Sequence, residues 1–247
     1  MDFQHRQTSY RDNRFQKTLN FYALLTSSNV QEWNEIAKSF DATRRKPWKE
    51  CLEFVEGKKG RAIDIACGNG RHIISMGDGI EPFGIDISSE MVKIARKNVG
   101  EAGKNAFFAV GDASALPFKS NTFDFALFIA GLHNIKGREK RITALKEIKR
   151  TLKEDGEAMI SVWSRWQDRW RMHFLKKLLS LKIKNFGDVD VPWKRDVQVM
   201  RFYHLYSMRE LKKDVKKAGL KIVRAWSVKK ASKKHADNHF IIVKRRE

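Results

Sequence analysis

The chain has 247 residues, of which 42% are hydrophobic, and it carries a formal net charge of +21 at pH 7. This length suits one large domain with a sizeable core. The longest apolar run, residues 125–132, is too short to span a bilayer, and the polar first residues argue against a signal peptide. Two cysteines, Cys51 and Cys67, cannot build a disulfide framework, so we expect a soluble cytoplasmic protein without membrane segments.

Short apolar runs alternate with helical periods along most of the chain. In chain order, the pattern predicts strands at residues 61–67 and 83–87, a helix at 88–99, strands at 106–110 and 123–130, a helix at 138–152, a strand at 157–163, a helix at 208–218, and strands at 221–228 and 240–243. Five strands separated by helices or crossover loops predict a parallel sheet covered on both faces. The last two strands predict an antiparallel addition. The expected fold class is therefore α/β, a Rossmann-like seven-stranded sheet of the class I methyltransferase type.

The domain organisation follows from the same pattern. We expect an N-terminal extension at residues 1–29 and a single domain at 30–247, with a basic insert at about 164–200. Within the insert, Trp166, Trp170, Phe174 and Leu178 recur at helical spacing, and the other face of this predicted cap helix carries Arg165, Arg169, Lys176 and Lys177.

The positive charge is concentrated in the last third of the chain. Residues 1–164 hold 26 Lys and Arg against 21 Asp and Glu, whereas residues 165–247 hold 24 against 8. Charge on this scale attracts polyanions. A uniformly basic surface is the alternative, but it does not explain the asymmetry, so we expect a nucleic acid partner. The basic face of the cap helix and the loop at residues 229–235 are the candidate phosphate-binding surfaces.

Three acids lie at the carboxyl ends of three successive predicted strands. Asp64 begins the segment 64–70, where the first strand passes into a turn, Asp86 ends the second strand, and Asp112 follows the third. Open α/β sheets bind ligands at the carboxyl ends of their strands. Gly68 and Gly70 in the first turn allow a close approach of the backbone to a ligand. Turn glycines with solvated acids are the alternative, which three acids at three strand ends make improbable.

The turn favours S-adenosylmethionine over a dinucleotide. The sequence GNGRHI at 68–73 lacks the third glycine of a dinucleotide-binding turn. S-adenosylmethionine has no phosphates but carries an ammonium and a sulfonium, so an acid such as Asp64 suits the turn. Asp86 can accept hydrogen bonds from ribose hydroxyls, and Asp112 from an adenine amino group. The predicted cofactor site comprises Arg44, Asp64, Gly68, Asn69, Gly70, Asp86, Ile87, Asp112, Ala113 and Ala130.

Several segments resemble one family, the tRNA wobble-uridine carboxyl methyltransferases, which esterify 5-carboxymethyluridine in the anticodon. The matching segments are residues 36–48 (IAKSFDATRRKPW), 64–70 (DIACGNG, with Ala66 in place of a glycine), 112–118 (DASALPF), 141–150 (RITALKEIKR), 162–163, 192–193, 201–205 (RFYHL) and 237–238. The resemblance covers the chain from about residue 30 onward. It implies a methyltransferase that uses S-adenosylmethionine and acts on tRNA.

A carboxylate acceptor explains the residues on the acceptor side. It is already ionised at neutral pH and needs no general base. It does need a cation, and the planar fork of Arg201 can bind a carboxylate or a phosphate in two places. Tyr203 and His204 can add hydrogen bonds or stack on a uracil, and His133 follows the fourth strand near the expected acceptor. We therefore place Arg201, Tyr203, His204 and His133 in the catalytic site.

The third predicted strand, from Ala106 to Val110, is expected at a sheet edge. An apolar edge strand invites pairing with another chain. The resemblance implies a small zinc-binding activator that docks there, and self-association is the alternative. The chain itself shows no cluster of metal ligands, so we expect no metal. Two other functions stay open, namely a small-molecule methyltransferase of the same fold and a non-catalytic RNA-binding protein.

Overall fold

A seven-stranded sheet lies at the centre of the computed structural model, which describes residues 28–181 and 185–245. The strands are β1 (Gly60–Ile65), β2 (Ile80–Asp86), β3 (Phe107–Val110), β4 (Phe123–Ile129), β5 (Leu152–Trp163), β6 (Asp188–Lys194), β7 (Gln198–His204), β8 (Leu220–Val228) and β9 (Asn238–Arg245). The helices are α1 (Ser28–Thr43), α2 (Lys49–Val55), α3 (Arg71–Ile74), α4 (Ser89–Glu101), α5 (Arg138–Thr151), α6 (Arg171–Leu179) and α7 (Met208–Lys217).

The strand order in the sheet is β3-β2-β1-β4-β5-β9-β8. The first five strands pair in parallel, whereas β9 runs antiparallel to both β5 and β8. This arrangement confirms the predicted class I methyltransferase sheet. Parallel neighbours require crossover connections, and here α4, α5 and the shorter segments supply them.

The two faces of the sheet bury different side chains because successive residues of a strand point to opposite faces. In β4, Ala126 and Phe128 belong to the cluster that includes buried residues of α5 and α7. Phe125 and Leu127 belong to the cluster on the other face, with Phe54 of α2. Burial on both faces explains why β4 reads as a continuous apolar run in the sequence.

A two-stranded hairpin of β6 and β7 stands apart from the main sheet. Its Trp193 and Val199 pack with Ile36 and Ala37 of α1, so the hairpin and α1 lie against each other. The sequence pattern did not predict β6. It also extended the cap helix too far, because α6 begins only at Arg171 and Trp166 lies outside it.

The proposed basic face of the cap helix is partly wrong as well. Arg165 is buried, and its guanidinium pairs with Glu210 and donates to the carbonyl oxygen of Phe186. Its charge is neutralised inside the protein and does not face solvent. The predicted N-terminal extension lies outside the described residues, apart from the start of α1. Among the described residues, no helix is both long enough and apolar enough to cross a membrane.

Candidate active site

A cavity of about 640 Å³ opens at the carboxyl ends of the five parallel strands. The turns that follow these strands form its floor. Helix α1 closes one side through Trp33 and Phe40, and the loop between β8 and β9 closes another through Lys230 and Lys233. Carboxyl ends of parallel strands are where open α/β sheets bind ligands.

The two glycines of the turn after β1 have different roles. Gly68 has a φ of +54° and lines the cavity, as does Asn69. Gly70 has a φ of +79° and faces α4, where a Cβ atom would lie 3.1 Å from Val99 Cγ2 and 3.3 Å from the Cα atom of Ala95. Both positions favour glycine. Gly68 therefore keeps the cavity floor open, whereas Gly70 lets α4 pack against the turn and does not line the cavity.

Asp86 lies in the cavity wall at the end of β2. Its Oδ2 accepts a hydrogen bond of 2.9 Å from the backbone N–H of Gly68, and its Oδ1 accepts one of 2.9 Å from that of Ser88. Burial raises the pKa of this carboxyl, although the backbone bonds oppose the shift. Each oxygen keeps a lone pair that can accept from ligand hydroxyls.

Asp112 occupies the same wall after β3. It pairs with Lys140 at 2.8 Å and accepts hydrogen bonds from the backbone and the hydroxyl of Ser114. Burial alone would raise the pKa of Asp112, but the lysine and these bonds outweigh it and hold the pKa below its usual value. The carboxylate is therefore ionised and acts as an acceptor. The structure also brings the predicted residues Ile87, Ala113 and Ala130 to the cavity wall.

Arg44 reaches the cavity from the end of α1. Its Nη1 donates to Thr43 Oγ1 at 2.8 Å, and its guanidinium lies 5.5 Å from the ring centroid of Phe40. Asn69 ties this segment to the glycine turn, because its Nδ2 donates to Arg44 O and to Asp41 Oδ1, each at 2.9 Å. The turn thus fixes the position of Arg44 beside the cavity.

Asp64 lies beneath the cavity floor and does not line the cavity. It is 1% exposed, and within the described chain neither carboxylate oxygen has a hydrogen-bond partner. The nearest cationic candidate is Nδ1 of His72, 3.8 Å from Oδ2. Burial raises the pKa of Asp64 to about 8, and burial also lowers the pKa of His72 to about 3, so both side chains are largely neutral at pH 7. An unsatisfied buried carboxyl costs stability, which points to a role that only a bound ligand completes.

Replacing Asp64 by asparagine is therefore expected to stabilise the protein in a pH-dependent way. Between the unfolded pKa near 4 and the folded pKa near 8, the folded state keeps a proton that the unfolded state releases, so wild-type stability falls as pH rises through this window. Asparagine removes that slope and gains roughly 1–3 kcal/mol above pH 7. Urea unfolding at pH 4.5 and 7.5 measures the difference, with the exposed Asp78→Asn as control. An equal change in stability at both pH values contradicts the expectation.

An aromatic wall, made of Trp163, Tyr203 and His133, forms the opposite side of the cavity. The rings of Trp163 and Tyr203 stack with centroids 4.7 Å apart, and those of His133 and Tyr203 lie 5.1 Å apart. Arg201 lies beside the wall. Its Nη1 donates to the hydroxyl of Tyr203 at 2.9 Å, and its guanidinium lies 4.7 Å from the ring centroid of Trp193. The structure thus brings Arg201, Tyr203 and His133 together, as predicted.

His133 is held as a neutral ring. Its Nδ1 accepts a 3.0 Å hydrogen bond from the backbone N–H of Trp163. Burial, together with the nearby His204 and Arg201, lowers the pKa of His133 to about 3. The ring proton is therefore on Nε2 and the lone pair on Nδ1 is engaged. His133 has no free lone pair with which to take a proton from a substrate.

The prediction that His204 joins the acceptor site is wrong. Alternation along β7 places Arg201 and Tyr203 on one face and His204 on the other. The ring nitrogens of His204 contact Asp188 Oδ1 at 2.6 Å and Glu210 Oε1 at 2.9 Å, and the residue does not line the cavity. His204 instead connects the β6–β7 hairpin to α7.

Sequence reasoning missed several cations of the cavity. Arg71 directly follows the glycine turn, lines the cavity and lies 5.5 Å from the ring centroid of Trp48. Its position after Gly70, at the start of a helix that faces the cofactor turn, was a usable signal. Arg169 and Lys230 also line the cavity, and both belong to segments that the sequence had indicated as phosphate-binding surfaces but not as parts of the cavity wall.

The β8–β9 loop is held over the cavity by Asp168. Its Oδ2 accepts hydrogen bonds from the backbone N–H groups of Lys233 and Lys234 at 2.8 and 2.9 Å, and its Oδ1 lies 2.7 Å from His235 Nδ1. On the far side, Lys230 pairs with Glu50 at 2.5 Å. These contacts join the loop to the insert and to α2, so the cavity is covered by a fixed basic loop.

The cavity fits S-adenosylmethionine. Arg44 and Arg71 can hold a carboxylate, Asp86 can accept from a ribose diol, and Asp112 can accept from an amino group. The positive charge at the amino-acid end of this cofactor would lower the raised pKa of the Asp64 carboxyl beneath the floor, whose oxygens have no hydrogen-bond partner within the described chain. Bound there, the cofactor supplies an electrophilic methyl group on a sulfonium.

Comparisons with known proteins agree with this geometry. The family described as a methyltransferase domain matches residues 62–156. A tRNA (carboxymethyluridine(34)-5-O)-methyltransferase of Schizosaccharomyces pombe is 31% identical over 214 residues, covering 76% of this chain and 86% of that protein. The mouse tRNA (carboxymethyluridine(34)-5-O)-methyltransferase ALKBH8 is 35% identical over 140 residues, covering 56% of this chain and 20% of that protein. This chain thus aligns with only about a fifth of the mouse relative's length.

Solved structures share the fold at low sequence identity. A SAM-dependent methyltransferase of Methanosarcina mazei has a TM-score of 0.66 at 21% identity, with 81% of this chain and 98% of that chain covered. A Haloferax volcanii chain solved in complex with the Trm112 methyltransferase activator has a TM-score of 0.61 at 17% identity, with coverages of 89% and 96%.

The sheet order and the cavity define a class I methyltransferase that uses S-adenosylmethionine as its cofactor. Within that class, the extent of the match to the fission-yeast protein is decisive. The chain belongs to the tRNA (carboxymethyluridine(34)-5-O)-methyltransferase family.

Proposed function

We propose that this enzyme methylates the carboxylate of 5-carboxymethyluridine at the wobble position of tRNA, forming a methyl ester. The observation that carries the proposal is the state of Arg201. Arg201 is 5% exposed and lines the cavity beside the aromatic wall, and among the described residues its Nε has no hydrogen-bond partner. A buried cation of this kind suits an anionic substrate group, and a planar carboxylate fits its fork.

The state of His133 supports a nucleophile that needs no general base. A hydroxyl or amine acceptor must lose a proton, whereas a carboxylate at neutral pH already carries its charge. His133 is the imidazole in the aromatic wall, and its one lone pair is engaged by the backbone N–H of Trp163. The ring therefore acts as a stacking surface. Arg201 then holds the carboxylate, and the surrounding aromatic side chains exclude water.

Exposed cations around the cavity support a tRNA substrate. Arg169 and Lys233 line the cavity and are exposed, and Lys176 on α6 and Lys234 on the β8–β9 loop are exposed outside its lining. Cations at the mouth of a cavity can hold the phosphates on either side of an extruded nucleotide. The fission-yeast and mouse relatives are named as methyltransferases of a tRNA uridine, which agrees with this substrate class. A cytoplasmic location forms part of the same proposal.

The edge strand β3 is the proposed docking site of an activator protein. Phe107 of β3 is 60% exposed and stacks on Phe83 at 4.9 Å, so an apolar surface continues from the open strand edge. Such an edge can pair with a strand of another chain. The Haloferax volcanii chain with the same fold was solved with a methyltransferase activator. A small zinc-binding activator is therefore the proposed occupant.

One experiment tests both parts. Hypomodified tRNA is incubated with S-adenosylmethionine and the enzyme, with or without a candidate activator, and its nucleosides are analysed by mass spectrometry. The expected product is the methyl ester of 5-carboxymethyluridine, in larger amount with the activator. If a monomer is equally active without the activator, the proposed activator is contradicted but the proposed reaction is not. Methylation of metabolite pools, with tRNA left unchanged, favours a small-molecule enzyme and contradicts the proposed function.

A further inference from the structure

Asn238 lies next to the aromatic wall on the neighbouring strand. It is the first residue of β9 and pairs with Trp163 in the antiparallel register between β5 and β9. Paired residues of neighbouring strands point to the same face of a sheet. Asn238 is 4% exposed and lines the cavity. A planar group stacked on the aromatic wall therefore has Asn238 at its edge.

Asp237 joins the β8–β9 loop to the side-chain amide of Asn238. Its carboxylate accepts hydrogen bonds from the backbone N–H groups of Lys230, Ala231 and Ser232 at 2.8, 2.6 and 2.6 Å. Burial raises the pKa of this carboxyl, but the three backbone bonds outweigh burial and hold the pKa below its usual value. Asp237 is therefore ionised and can only accept hydrogen bonds.

This neighbour fixes which way the amide of Asn238 points. Its Nδ2 donates to Asp237 Oδ1 at 3.0 Å, and a carboxylate cannot be paired with the amide oxygen instead. The oxygen of Asn238 is consequently directed away from Asp237. Within residues 28–181 and 185–245, Oδ1 is buried and has no hydrogen-bond partner. The site thus holds one oriented acceptor that lacks a donor.

The missing donor fits the edge of a uracil. Uracil presents N3–H between two carbonyl groups, whereas cytosine presents a bare ring nitrogen that would face the amide oxygen lone pair to lone pair. We propose that Asn238 accepts a hydrogen bond from N3–H of the acceptor base and so makes the enzyme select uridine over cytidine. The proposal rests on the proposed function, because it concerns the base that carries the methylated carboxylate.

The test compares three anticodon stem-loop RNAs that differ only in the acceptor base. They carry 5-carboxymethyluridine, its N3-methyl derivative or 5-carboxymethylcytidine, and kcat/KM for ester formation is measured for each. The wild-type enzyme is expected to prefer the first RNA by about tenfold or more, because neither of the other two bases carries an N–H at position 3 that can donate to the buried oxygen. In Asn238→Ala the preference is expected to shrink to about twofold. Gln167→Ala is the matched control, since this cavity-lining amide already donates to Ser164 O at 2.9 Å.

The outcomes distinguish the role of Asn238 from the proposed function. A preference that survives in Asn238→Ala, or that disappears equally in Gln167→Ala, overturns the role of Asn238. Should Asn238→Ala not fold, the wild-type protein is titrated with the nucleosides 5-carboxymethyluridine and N3-methyl-5-carboxymethyluridine. This comparison measures the discrimination at N3 as a ratio of affinities, and equal affinities overturn the assignment. No ester on any of the three RNAs, by an enzyme that still binds cofactor, overturns the proposed function and the assignment with it.

Discussion

Replacing Asp86 by asparagine is expected to weaken the binding of S-adenosylmethionine about 100-fold. In the native protein one carboxylate oxygen accepts from Gly68 N–H and the other from Ser88 N–H, each at 2.9 Å. Asparagine has a single acceptor oxygen, so its NH2 group must face one of these N–H donors. The variant also lacks the charge that strengthens hydrogen bonds from ribose hydroxyls. Together these losses amount to about 3 kcal/mol, which is roughly two powers of ten in affinity.

Isothermal titration with the cofactor, or with its product S-adenosylhomocysteine, measures this effect directly. Glu81→Gln is the matched control, because it makes the same chemical change at the opposite end of β2. Glu81 is partly exposed and pairs with Arg61 at the surface. This pair contributes little, so the affinity of the control should stay within about twofold of the wild type. Equal affinities for Asp86→Asn and Glu81→Gln would contradict the assignment of Asp86.

The sequence was sufficient for the main sheet because its signals are local. The strands and helices were predicted from apolar runs of strand length and from the helical periods between them. Acids at the ends of successive runs indicated the edge of the sheet that binds the ligand. The predicted segment 106–110, for example, differs from β3 (Phe107–Val110) by one residue. The same reasoning placed Asp86 and Asp112 at the cavity before any contact was known.

The insert was harder because long-range contacts decide its structure. The spacing of Trp166 and Trp170 suggested a continuous helix, yet the intervening Asp168 binds backbone N–H groups of residues 233–235. A carboxylate committed to a segment 65 residues away holds this turn out of the helix. Likewise, β6 is defined by its pairing with β7 and carries Pro192, a residue that weakens any strand pattern.

Within the site, the error arose because successive side chains of a strand point to opposite faces, and the sequence-based prediction did not take this into account. The segment RFYHL was treated as one polar cluster, whereas a strand separates its members by face. Arg201 and Tyr203 reach the cavity, and His204 meets Asp188 and Glu210 on the other side. The amide of Asn238 was equally beyond sequence reasoning, since its orientation depends on which atoms surround Asp237.

Replacing Arg201 by methionine is expected to lower kcat/KM for tRNA methylation by roughly 100- to 1000-fold, with cofactor affinity nearly unchanged. Methionine keeps the apolar contact with Trp193 and Tyr203 but removes the cation that holds the acceptor carboxylate. Arg201→Lys restores the charge without the planar fork, so it should recover only part of the activity. Arg195→Ala is the matched control, because Arg195 contacts the same indole from the exposed side, at 5.9 Å, and does not line the cavity.

The affinity for tRNA decides which anion Arg201 holds. If Arg201 binds a phosphate, Arg201→Met weakens binding of tRNA that carries unmodified uridine and reduces the slope of log affinity against log salt by about one. If it binds the acceptor carboxylate, unmodified tRNA binds the variant and the wild type alike, and the loss is confined to ester formation. We expect the second result, because Arg201 is buried among aromatic rings whereas the cavity-lining Arg169 and Lys233 are exposed to solvent. Activity of Arg201→Met within a few-fold of the wild type would contradict either role.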